Sequence, residues 1–292
     1  MTGGAGLRVL ATGPQALVQD AGRPGHAGIG VPHSGAADRG AYALANRLLG
    51  NEPGAATLEV LLGGLRLRAE GGGAWVIVTG ASGPVQVGGR PVGSHRLAWL
   101  GDGQELIVGA PEVGLRSYVG VRGGLEVDPV LGSRSTDLLS GLGPAPLAEG
   151  GLLPVGRATS ALPAVDLPLA GLRSEPMILR MVRGPRDDRL TDPDALVRTA
   201  WTVTERSNRV GVRLAAGGTP PAGLAPAFDG ELPSEGLWRG AVQVPPGREP
   251  VLFLADHPVT GGYPVAGVVV DADVDRAAQI RPGETLRLRW SR

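Results

Sequence analysis

Glycine and proline divide this sequence into short segments. There are 49 glycines and 26 prolines among 292 residues, which indicates many turns. Between the turns lie short apolar runs rich in β-branched residues, and such runs predict strands. Because the runs follow one another closely, we predict a mainly β fold of barrels or curled antiparallel sheets. The runs are AWVIVTG, ELIVGA, SYVGVRGG, MILRMVRG, GVRLAAG, AVQVPPG, PVLFLAD and TLRLRW.

Three short helices are predicted between these strands, each with an aspartate able to cap it. The first runs from Asp38 to Leu49, where leucines share one side, and it ends at Gly50. The second lies in TDPDALVRTA and the third in DADVDRAAQI. The predicted N-caps are Asp38, then Asp192 with Pro193 at the first helical position, then Asp271 or Asp273.

A short internal repeat predicts two related lobes. GDGQELIVG at 101–109 and RPGETLRLR at 281–289 share a glycine turn, two polar residues and a closing strand. Segment 141–172 is rich in proline, glycine and alanine and carries little charge, which is typical of an exposed connection between lobes. The predicted lobes are residues 1–175 and 176–292.

The composition excludes several classes of function. The sequence contains no lysine, so it offers no Schiff base, no Walker lysine and no attachment point for covalent biotin. It contains no cysteine, which excludes disulfides and thiolate chemistry. The net charge is zero, and no segment predicts a membrane span or a signal peptide. We expect a cytoplasmic protein that binds neither nucleic acid nor membrane.

The common catalytic signatures are missing as well. No serine lies in a G-x-S-x-G elbow, and the four histidines show no H-E-x-x-H spacing. A metal site built from His26, His33 and a distant carboxylate is one interpretation of the histidines. Ordinary loop histidines are the other, and on that interpretation we predict no metal.

Polar side chains concentrate instead in four glycine-rich turns. Closely spaced arginine, aspartate and hydroxyl groups suit a small ligand that bears a carboxylate, amide or phosphate. The same residue types also stabilise turns without binding anything. Four such clusters in one chain favour a binding cleft. Their main members are Asp20, Arg23, Ser34 and Asp38; Arg134 and Ser135; Asn208 and Arg209; and Asp256, Thr260 and Tyr263.

These turns also carry a family resemblance. Residues 18–59, VQDAGRPGHAGIGVPHSGAADRGAYALANRLLGNEPGAATLE, resemble the opening signature of the KipA family, also called allophanate hydrolase subunit 2 or the biotin-dependent carboxyltransferase family. VRGGLEV…LGSRSTD, SNRVGVRL, SEGLWRGAVQVPPGREPVLFLAD and TGGYPVAGVVVDADVDRAAQIRPG resemble its later motifs in the same order. The resemblance spans nearly the whole chain. It implies a cyclophilin-like β-barrel architecture in two related lobes with a few short helices.

The resemblance also implies a partner and three alternative functions. KipA-type proteins pair with a KipI-type protein, also called allophanate hydrolase subunit 1, with the site at or near the joint surface. Many members are the C subunit of an ATP-dependent 5-oxoprolinase, which works with the KipI-type B subunit plus a LamB/YcsF-type A subunit to open 5-oxoproline to glutamate. The related region of urea carboxylase moves a carboxyl group from carboxybiotin to urea. Another relative counteracts a KipI-type kinase inhibitor.

We expect the 5-oxoprolinase function, with ATP shared among the subunits and little activity in the isolated chain. In that reaction Arg23, Arg134 and Arg209 would pair with the substrate carboxylate or a phosphoryl group. Asp38 or Asp256 would accept a proton or orient the substrate amide. The predicted catalytic residues are Asp38, Arg134 and Asp256. The predicted substrate-binding residues are Asp20, Arg23, Ser34, Ser135, Asn208, Arg209, Gln243, Thr260 and Tyr263.

Two positions depart from the family pattern. In ADHPVTGGYP, Pro258 and Val259 stand where many relatives have glutamine and threonine. Each of those side chains can hydrogen-bond a ligand, whereas proline and valine side chains cannot. We expect the loop to keep its shape and to lose a polar contact, which bears on the identity of the substrate.

Overall fold

The structure is a computed structural model that describes residues 5–164, 177–228 and 230–291. The expected mainly β class with a few short helices is confirmed. The described residues form two compact units. Unit 1 holds residues 5–23, 34–137 and 141–164, and unit 2 holds residues 24–33, 138–140, 177–228 and 230–291.

Unit 1 consists of two sheets and one helix. One sheet has the strand order β11-β1-β4-β9-β6-β7, and the other has the order β2-β3-β10-β5-β8. The elements are β1 Gly6–Thr12, β2 Gln15–Gln19, α1 Arg39–Leu49, β3 Thr57–Leu61, β4 Leu65–Glu70, β5 Ala74–Ser82, β6 Val85–Val87, β7 Arg90–Pro91, β8 Ala98–Leu100, β9 Glu105–Val108, β10 Val113–Val121 and β11 Leu152–Pro154.

The core of unit 1 forms because alternate residues of both sheets point into one apolar cluster. On β4, Leu65, Leu67 and Ala69 are buried, and the arginines between them are exposed. Strand β5 differs because it is buried on both faces. Its Val76 and Val78 join the core between the sheets, and Ile77 packs against α1. This double burial explains the continuous apolar run WVIV.

Helix α1 has the bounds that its sequence predicts. The Asp38 side chain accepts a hydrogen bond from the Ala41 amide at 2.9 Å, so Asp38 is the expected N-cap. Gly50 ends the helix in the left-handed conformation, with φ of 63°. Ala45 and Leu49 are buried against Gly120 of β10, where an added Cβ would lie 2.7 Å from the Leu49 Cδ1. A glycine on β10 therefore lets the helix approach the sheet.

Unit 2 is built around a closed barrel with the strand order β12-β19-β16-β17-β14-β13-β20. Strands β12 and β20 close the barrel in parallel, and the other neighbouring pairs are antiparallel. Strands β15 and β18 form a separate two-stranded ribbon. The elements are β12 Met177–Arg183, α2 Ala195–Arg198, β13 Ala200–Val203, β14 Gly211–Ala216, β15 Glu235–Gly236, β16 Ala241–Gln243, β17 Val251–Phe253, β18 Thr260–Gly261, β19 Val265–Val269, α3 Asp271–Ala277 and β20 Thr285–Trp290, with 3₁₀ turns at Ala27–Ile29, Asp187–Arg189 and Ala222–Leu224.

The predicted caps of the second and third helices are wrong. Helix α2 begins at Ala195 with Asp194 as its N-cap, later than expected. Asp192 instead accepts a hydrogen bond from the Asp194 amide and pairs with Arg198. Helix α3 begins at Asp271 with Val270 at its N-cap, so neither predicted aspartate occupies that position. All eight predicted strands are present.

The segment predicted to connect two lobes contains a strand. Leu152–Pro154 pairs with β1, and Leu153 is buried in unit 1. Most other described residues of 141–164 are partly or fully exposed, as expected. The predicted boundary at 175 lies outside the described residues. In the described part of the chain, no helix is both long enough and apolar enough to cross a membrane.

Candidate functional site

The first and second polar clusters of the sequence meet around the carboxylate of Asp20. Its Oδ1 accepts hydrogen bonds from the hydroxyls of Ser133 and Ser135, both at 2.6 Å, and from the Gly22 amide at 2.8 Å. Its Oδ2 accepts from the Arg134 amide at 2.6 Å. Four donors occupy this buried carboxylate, so Asp20 holds the loop at 133–136 in place. Ser135, predicted to bind substrate, is part of the same arrangement.

Arg23 packs against this loop and Arg134 belongs to it, and the two side chains make different contacts. Arg23 is fully buried, and its guanidinium donates to the carbonyls of Ser135 and Val130. Its Nη1 lies 4.0 Å from the Asp137 carboxylate and has no hydrogen-bond partner among the residues that the structure describes. Arg134 is half-buried and donates from Nε to the Val127 carbonyl at 2.9 Å. Its two terminal nitrogens bond to no other described residue, so they can bind a ligand.

Ser34 and Asp38 lie in the turn that precedes α1. Ser34 adopts a left-handed conformation with φ of 54°, which costs a residue with a side chain about 1 kcal/mol. Its hydroxyl is 3.4 Å from the Thr136 carbonyl, next to the Asp20 cluster. Gly35 also has a positive φ, and a Cβ there would lie 2.9 Å from the Gly22 amide nitrogen. The turn is therefore packed tightly against the QDAGR segment.

A buried polar network behind this turn was not predicted. The Tyr118 hydroxyl accepts a hydrogen bond from the Asp38 amide at 2.8 Å and donates to Glu59 Oε2 at 2.7 Å. Glu59 also accepts from the Ala37 amide and lies 3.4 Å from Arg116 Nε. Burial raises the pKa of Tyr118 well above its usual value, and the charges of Glu59 and Asp38 add to this, so the hydroxyl keeps its proton. The sequence feature that could have revealed this network is Glu59, a glutamate inside the otherwise apolar strand TLEVL.

In unit 2, Arg209 and Asp256 form a buried bidentate ion pair. Arg209 Nε donates to Asp256 Oδ2 at 2.8 Å, and Nη2 donates to Oδ1 at 2.9 Å. The Leu138 amide lies 3.3 Å from the same Oδ2, and the Asp256 amide donates to the Arg209 carbonyl. Both oxygens of Asp256 thus already accept hydrogen bonds. The sequence placed these two residues in separate clusters, and the fold joins them.

The remaining predicted residues of unit 2 serve three local structures. Asn208 is exposed, and its Oδ1 accepts from the Val210 amide at 2.8 Å, which closes the turn before β14. Gln243 is buried and donates to the Tyr263 carbonyl at 2.8 Å. Thr260 is exposed and pairs with Gly236 in the β15–β18 ribbon. The Tyr263 ring is 48% exposed and lines a cavity of about 550 Å³.

The loop that carries Pro258 and Val259 is held by hydrogen bonds of its main chain. The Val259 carbonyl accepts from the Leu237 amide at 2.8 Å, and the Pro258 carbonyl lies 2.8 Å from His257 Nδ1. Both contacts use main-chain oxygens of the substituted residues, so the side chains can change without loss of these bonds. No group of three or more metal-ligating side chains occurs among the described residues.

A comparison of the whole sequence identifies the family. The model of the carboxyltransferase domain, subdomain A and B, matches residues 29–290. The chain belongs to this carboxyltransferase-domain family. The family assignment agrees with the resemblance noted in the polar turns.

Curated relatives of this carboxyltransferase-domain protein carry two kinds of name. The C subunit of 5-oxoprolinase from Escherichia coli is 36% identical over 96% of this chain and 89% of its own length. The protein of the same name from Haemophilus influenzae is 31% identical, with 96% and 90% covered. The urea amidolyase of Lachancea kluyveri is 29% identical over 96% of this chain and only 17% of its own length.

Solved structures share the fold of the carboxyltransferase-domain protein. The crystal structure of TTHA0988 superimposes with a TM-score of 0.86 at 32% identity, covering 98% of this chain and 55% of that one. The Kluyveromyces lactis urea amidolyase gives a TM-score of 0.85 at 30% identity, covering 97% of this chain and 18% of that one. This chain therefore spans about half of the TTHA0988 chain and less than a fifth of the amidolyase.

The predicted site residues of the carboxyltransferase-domain protein fall into two groups, those already bonded to other protein groups and those with atoms available for a ligand. Asp20, Ser135 and Asn208 are engaged in holding loops, and Arg209 and Asp256 are engaged with each other. Arg134 presents two terminal nitrogens with no described partner. In chemical terms, the Arg134 side chain can pair with a carboxylate or phosphoryl oxygen, and the engaged carboxylates keep fixed positions.

Proposed function

We propose that this chain is the C subunit of an ATP-dependent 5-oxoprolinase. The observation that carries the proposal is the 36% identity to the C subunit of 5-oxoprolinase from Escherichia coli, which extends over 96% of this chain and 89% of that relative. Such a protein works within a complex. The proposed partners are a KipI-type B subunit together with a LamB/YcsF-type A subunit. Because the reaction consumes ATP, we place the complex in the cytoplasm.

The reaction opens the lactam of 5-oxoproline to glutamate. The amide carbonyl is a poor electrophile, and transfer of the γ-phosphoryl group of ATP to its oxygen, with release of ADP, would open the carbon to attack by water. The ring C–N bond would then break, with the nitrogen leaving as the α-amino group of glutamate, and a second water would release the phosphate. The chain's own contribution would be to position the substrate and to balance negative charge. Arg134 suits the second of these tasks because its terminal nitrogens are available for a phosphoryl oxygen. No lysine is present to share the task.

The carboxylates Asp38 and Asp256 suit orientation better than proton abstraction. Asp38 accepts a hydrogen bond from the Ala41 amide at the start of α1, so this oxygen is engaged in capping the helix. Asp256 is held by Arg209 in a buried bidentate pair. Abstraction of a proton by either carboxylate would disrupt these bonds, so we propose that each fixes a loop that contacts the substrate.

The test is reconstitution of the complex from purified subunits. This chain is mixed with the proposed A and B subunits, ATP and 5-oxoproline, and the release of glutamate is measured. We expect release that requires all three subunits and ATP. Unchanged release when this chain is omitted, or no release from the full mixture, would contradict the proposal. Co-purification of this chain with the B subunit tests the partner separately.

Carboxyl transfer to a urea-like amide is the second candidate. It is favoured by the match to the carboxyltransferase-domain family and by the similarity to urea amidolyases over 96% of this chain. Since the chain has no lysine, biotin would arrive on another domain or protein. The test supplies the chain with a biotin carboxylase, a biotin carrier and its B subunit, and ATP-dependent incorporation of ¹⁴C-bicarbonate into urea would support this candidate. Glutamate release from 5-oxoproline would not require bicarbonate.

A further inference from the structure

Unit 2 contains a cavity that the proposed roles above do not use. Its volume is about 550 Å³, within the range of about 300–1,000 Å³ that is usual for small-molecule sites. Most of the residues that line it are apolar, and they include four prolines together with Phe228 and Tyr263. These two residues are 59% and 48% exposed, so a ligand from solvent can reach them. Apolar walls with few charged groups are typical of ligand pockets.

Among the described residues, two charged side chains line the cavity, and neither has an ionic partner within that part of the chain. They are Arg189 and Glu231. Neighbouring side chains in the same segments behave differently. Arg183 pairs with Asp187 and Asp194, and Arg186 pairs with Glu235. A cation and an anion that both remain available in one cavity indicate a ligand with complementary groups.

Arg189 is oriented by an aromatic contact. Its guanidinium carbon lies 5.8 Å from the centroid of the Phe228 ring, a cation–π arrangement. Its guanidinium hydrogens donate to no described group, and its carbonyl accepts from the Ala227 amide at 2.8 Å. The side chain is thus positioned by packing, and its hydrogen-bond donors remain available. A guanidinium in this state suits bidentate recognition of a carboxylate.

The walls around these side chains are fixed by main-chain hydrogen bonds. Leu190 and Pro226 form a bridge, which holds the Arg189 segment beside the Phe228 segment. On the other side, the Val244 amide donates to the Pro264 carbonyl at 3.0 Å, and Gln243 donates to the Tyr263 carbonyl. The cavity is therefore preformed, which lowers the entropic cost of binding.

We propose that this cavity binds a small cyclic carboxylate with an adjacent N–H group. Arg189 pairs with the carboxylate, Glu231 accepts a hydrogen bond from the N–H, and the ring packs against Phe228, Tyr263 and the prolines. Resting on the proposed function, we assign the ligand as 5-oxoproline, which has a five-membered lactam ring, a carboxylate and an adjacent N–H. Tyr263 was predicted to bind substrate, whereas the other three side chains were not.

Binding is tested by isothermal titration of the full chain with 5-oxoproline. Arg189→Gln removes the charge, and Arg213→Gln is the matched control, because Arg213 is an exposed arginine on β14 outside the cavity. We expect Arg189→Gln to raise the Kd about tenfold or more, as the loss of a charged hydrogen-bond donor does, and Arg213→Gln to leave it unchanged. Equal Kd values for wild type and Arg189→Gln would overturn the proposal.

Two analogues separate the roles of the charged residues. 2-Pyrrolidinone lacks the carboxylate, so its binding should be weak and insensitive to Arg189→Gln. Cyclopentanecarboxylate lacks the N–H, so Glu231→Gln should shift the preference from 5-oxoproline toward this analogue. An unchanged preference would remove Glu231 from the site.

The reconstituted complex separates this inference from the proposed function. If the complex releases glutamate and Arg189→Gln leaves the KM for 5-oxoproline unchanged, the inference is wrong and the function stands. If the chain binds 5-oxoproline through Arg189 and the complex releases no glutamate, the site stands and the proposed function is wrong. A KM raised about tenfold with a smaller change in kcat would support both.

Discussion

Asp20 and Ser135 exchange two hydrogen bonds across 115 residues of sequence. The Asp20 amide donates to Ser135 Oγ at 2.9 Å, and Ser135 Oγ donates to Asp20 Oδ1 at 2.6 Å. The hydroxyl therefore accepts and donates between the same two residues, which fixes its orientation. The pair ties the segment after β2 to the loop at 133–136, which carries the available arginine Arg134. Two motifs that are far apart in sequence thus form one structural unit.

We predict that Asp20→Asn destabilises the chain by about 3 kcal/mol, because a carboxylate that accepts four hydrogen bonds is replaced by an amide whose NH₂ faces donors. The measurement is urea unfolding followed by tryptophan fluorescence. Asp128→Asn is the matched control, since Asp128 is exposed and should change stability by less than about 0.5 kcal/mol. Equal stabilities of the two variants would argue against a structural role for Asp20.

The sequence predicts helix α1 well because all of its signals are local. Asp38 caps it, leucines and alanines repeat at helical spacing, and Gly50 ends it. The caps of α3 were wrong for a long-range reason. The Asp273 carboxylate accepts from Arg180, 93 residues away, and Asp271 pairs with Arg239. Ion pairs formed by the tertiary fold thus use the carboxylates that local rules assign to capping.

The sequence identified the polar turns but not how their side chains are arranged. The turns that carry Asp20, Arg134 and Asp256 were identified because glycine, hydroxyl and charged residues cluster there. Which of these residues satisfy one another depends on contacts between distant positions, as in the Arg209–Asp256 pair, which spans 47 residues. Glu59 was missed because its partner Tyr118 lies on a neighbouring strand 59 positions away. The periodicity of a sequence predicts which face of a strand is buried, but it does not predict which residue of another strand lies beside it.

The buried Arg209–Asp256 pair should show strong coupling. Arg209→Met leaves a carboxylate that is fully buried and has lost its cation, so we expect destabilisation of about 3–5 kcal/mol. The double variant Arg209→Met, Asp256→Leu removes both charges and should be more stable than either single variant. The measurement is a double-mutant cycle by urea unfolding. Additive effects of the two single variants would contradict the coupling.

Gly120 is required for the contact between β10 and α1. An added Cβ would lie 2.7 Å from Leu49 Cδ1 and 3.2 Å from Ala45 Cβ, so Gly120→Ala should destabilise unit 1 by about 1–3 kcal/mol. Gly217→Ala is the control, because a Cβ there meets nothing within 4 Å. Hydrogen exchange of the α1 amides measures the effect locally. If the α1 amides of Gly120→Ala are as protected from hydrogen exchange as those of the wild type, the helix can shift without loss of stability.

Asp273 should make stability depend on acid pH. Burial is the largest influence and raises the pKa of Asp273, but hydrogen bonds from Arg180 and Arg276 together outweigh it and keep that pKa below its ordinary value. A lowered folded-state pKa means that the contribution is complete above about pH 4 and is lost as pH falls through the folded value. Urea unfolding should show the stability difference between wild type and Asp273→Asn narrowing from about pH 7 to about pH 3. A constant difference would contradict this, and Asp128→Asn again serves as the control.

Arg134 is the side chain whose loss should affect activity far more than stability. Its amide holds the loop through Asp20, and that bond survives replacement of the side chain; only the Nε bond to Val127 is lost. Arg134→Gln should therefore cost about 1 kcal/mol of stability. In the reconstituted complex, however, kcat/KM for 5-oxoproline should fall at least about 100-fold, because an arginine that balances developing negative charge contributes about 3 kcal/mol or more.

The variant Arg134→Lys should restore little of this activity, since an ammonium group cannot give two parallel hydrogen bonds. Arg213→Gln, an exposed change on β14, should retain full activity. If Arg134→Gln keeps the wild-type kcat/KM, Arg134 takes no part in the mechanism. The expected loss of stability is too small to alter this interpretation of the activity.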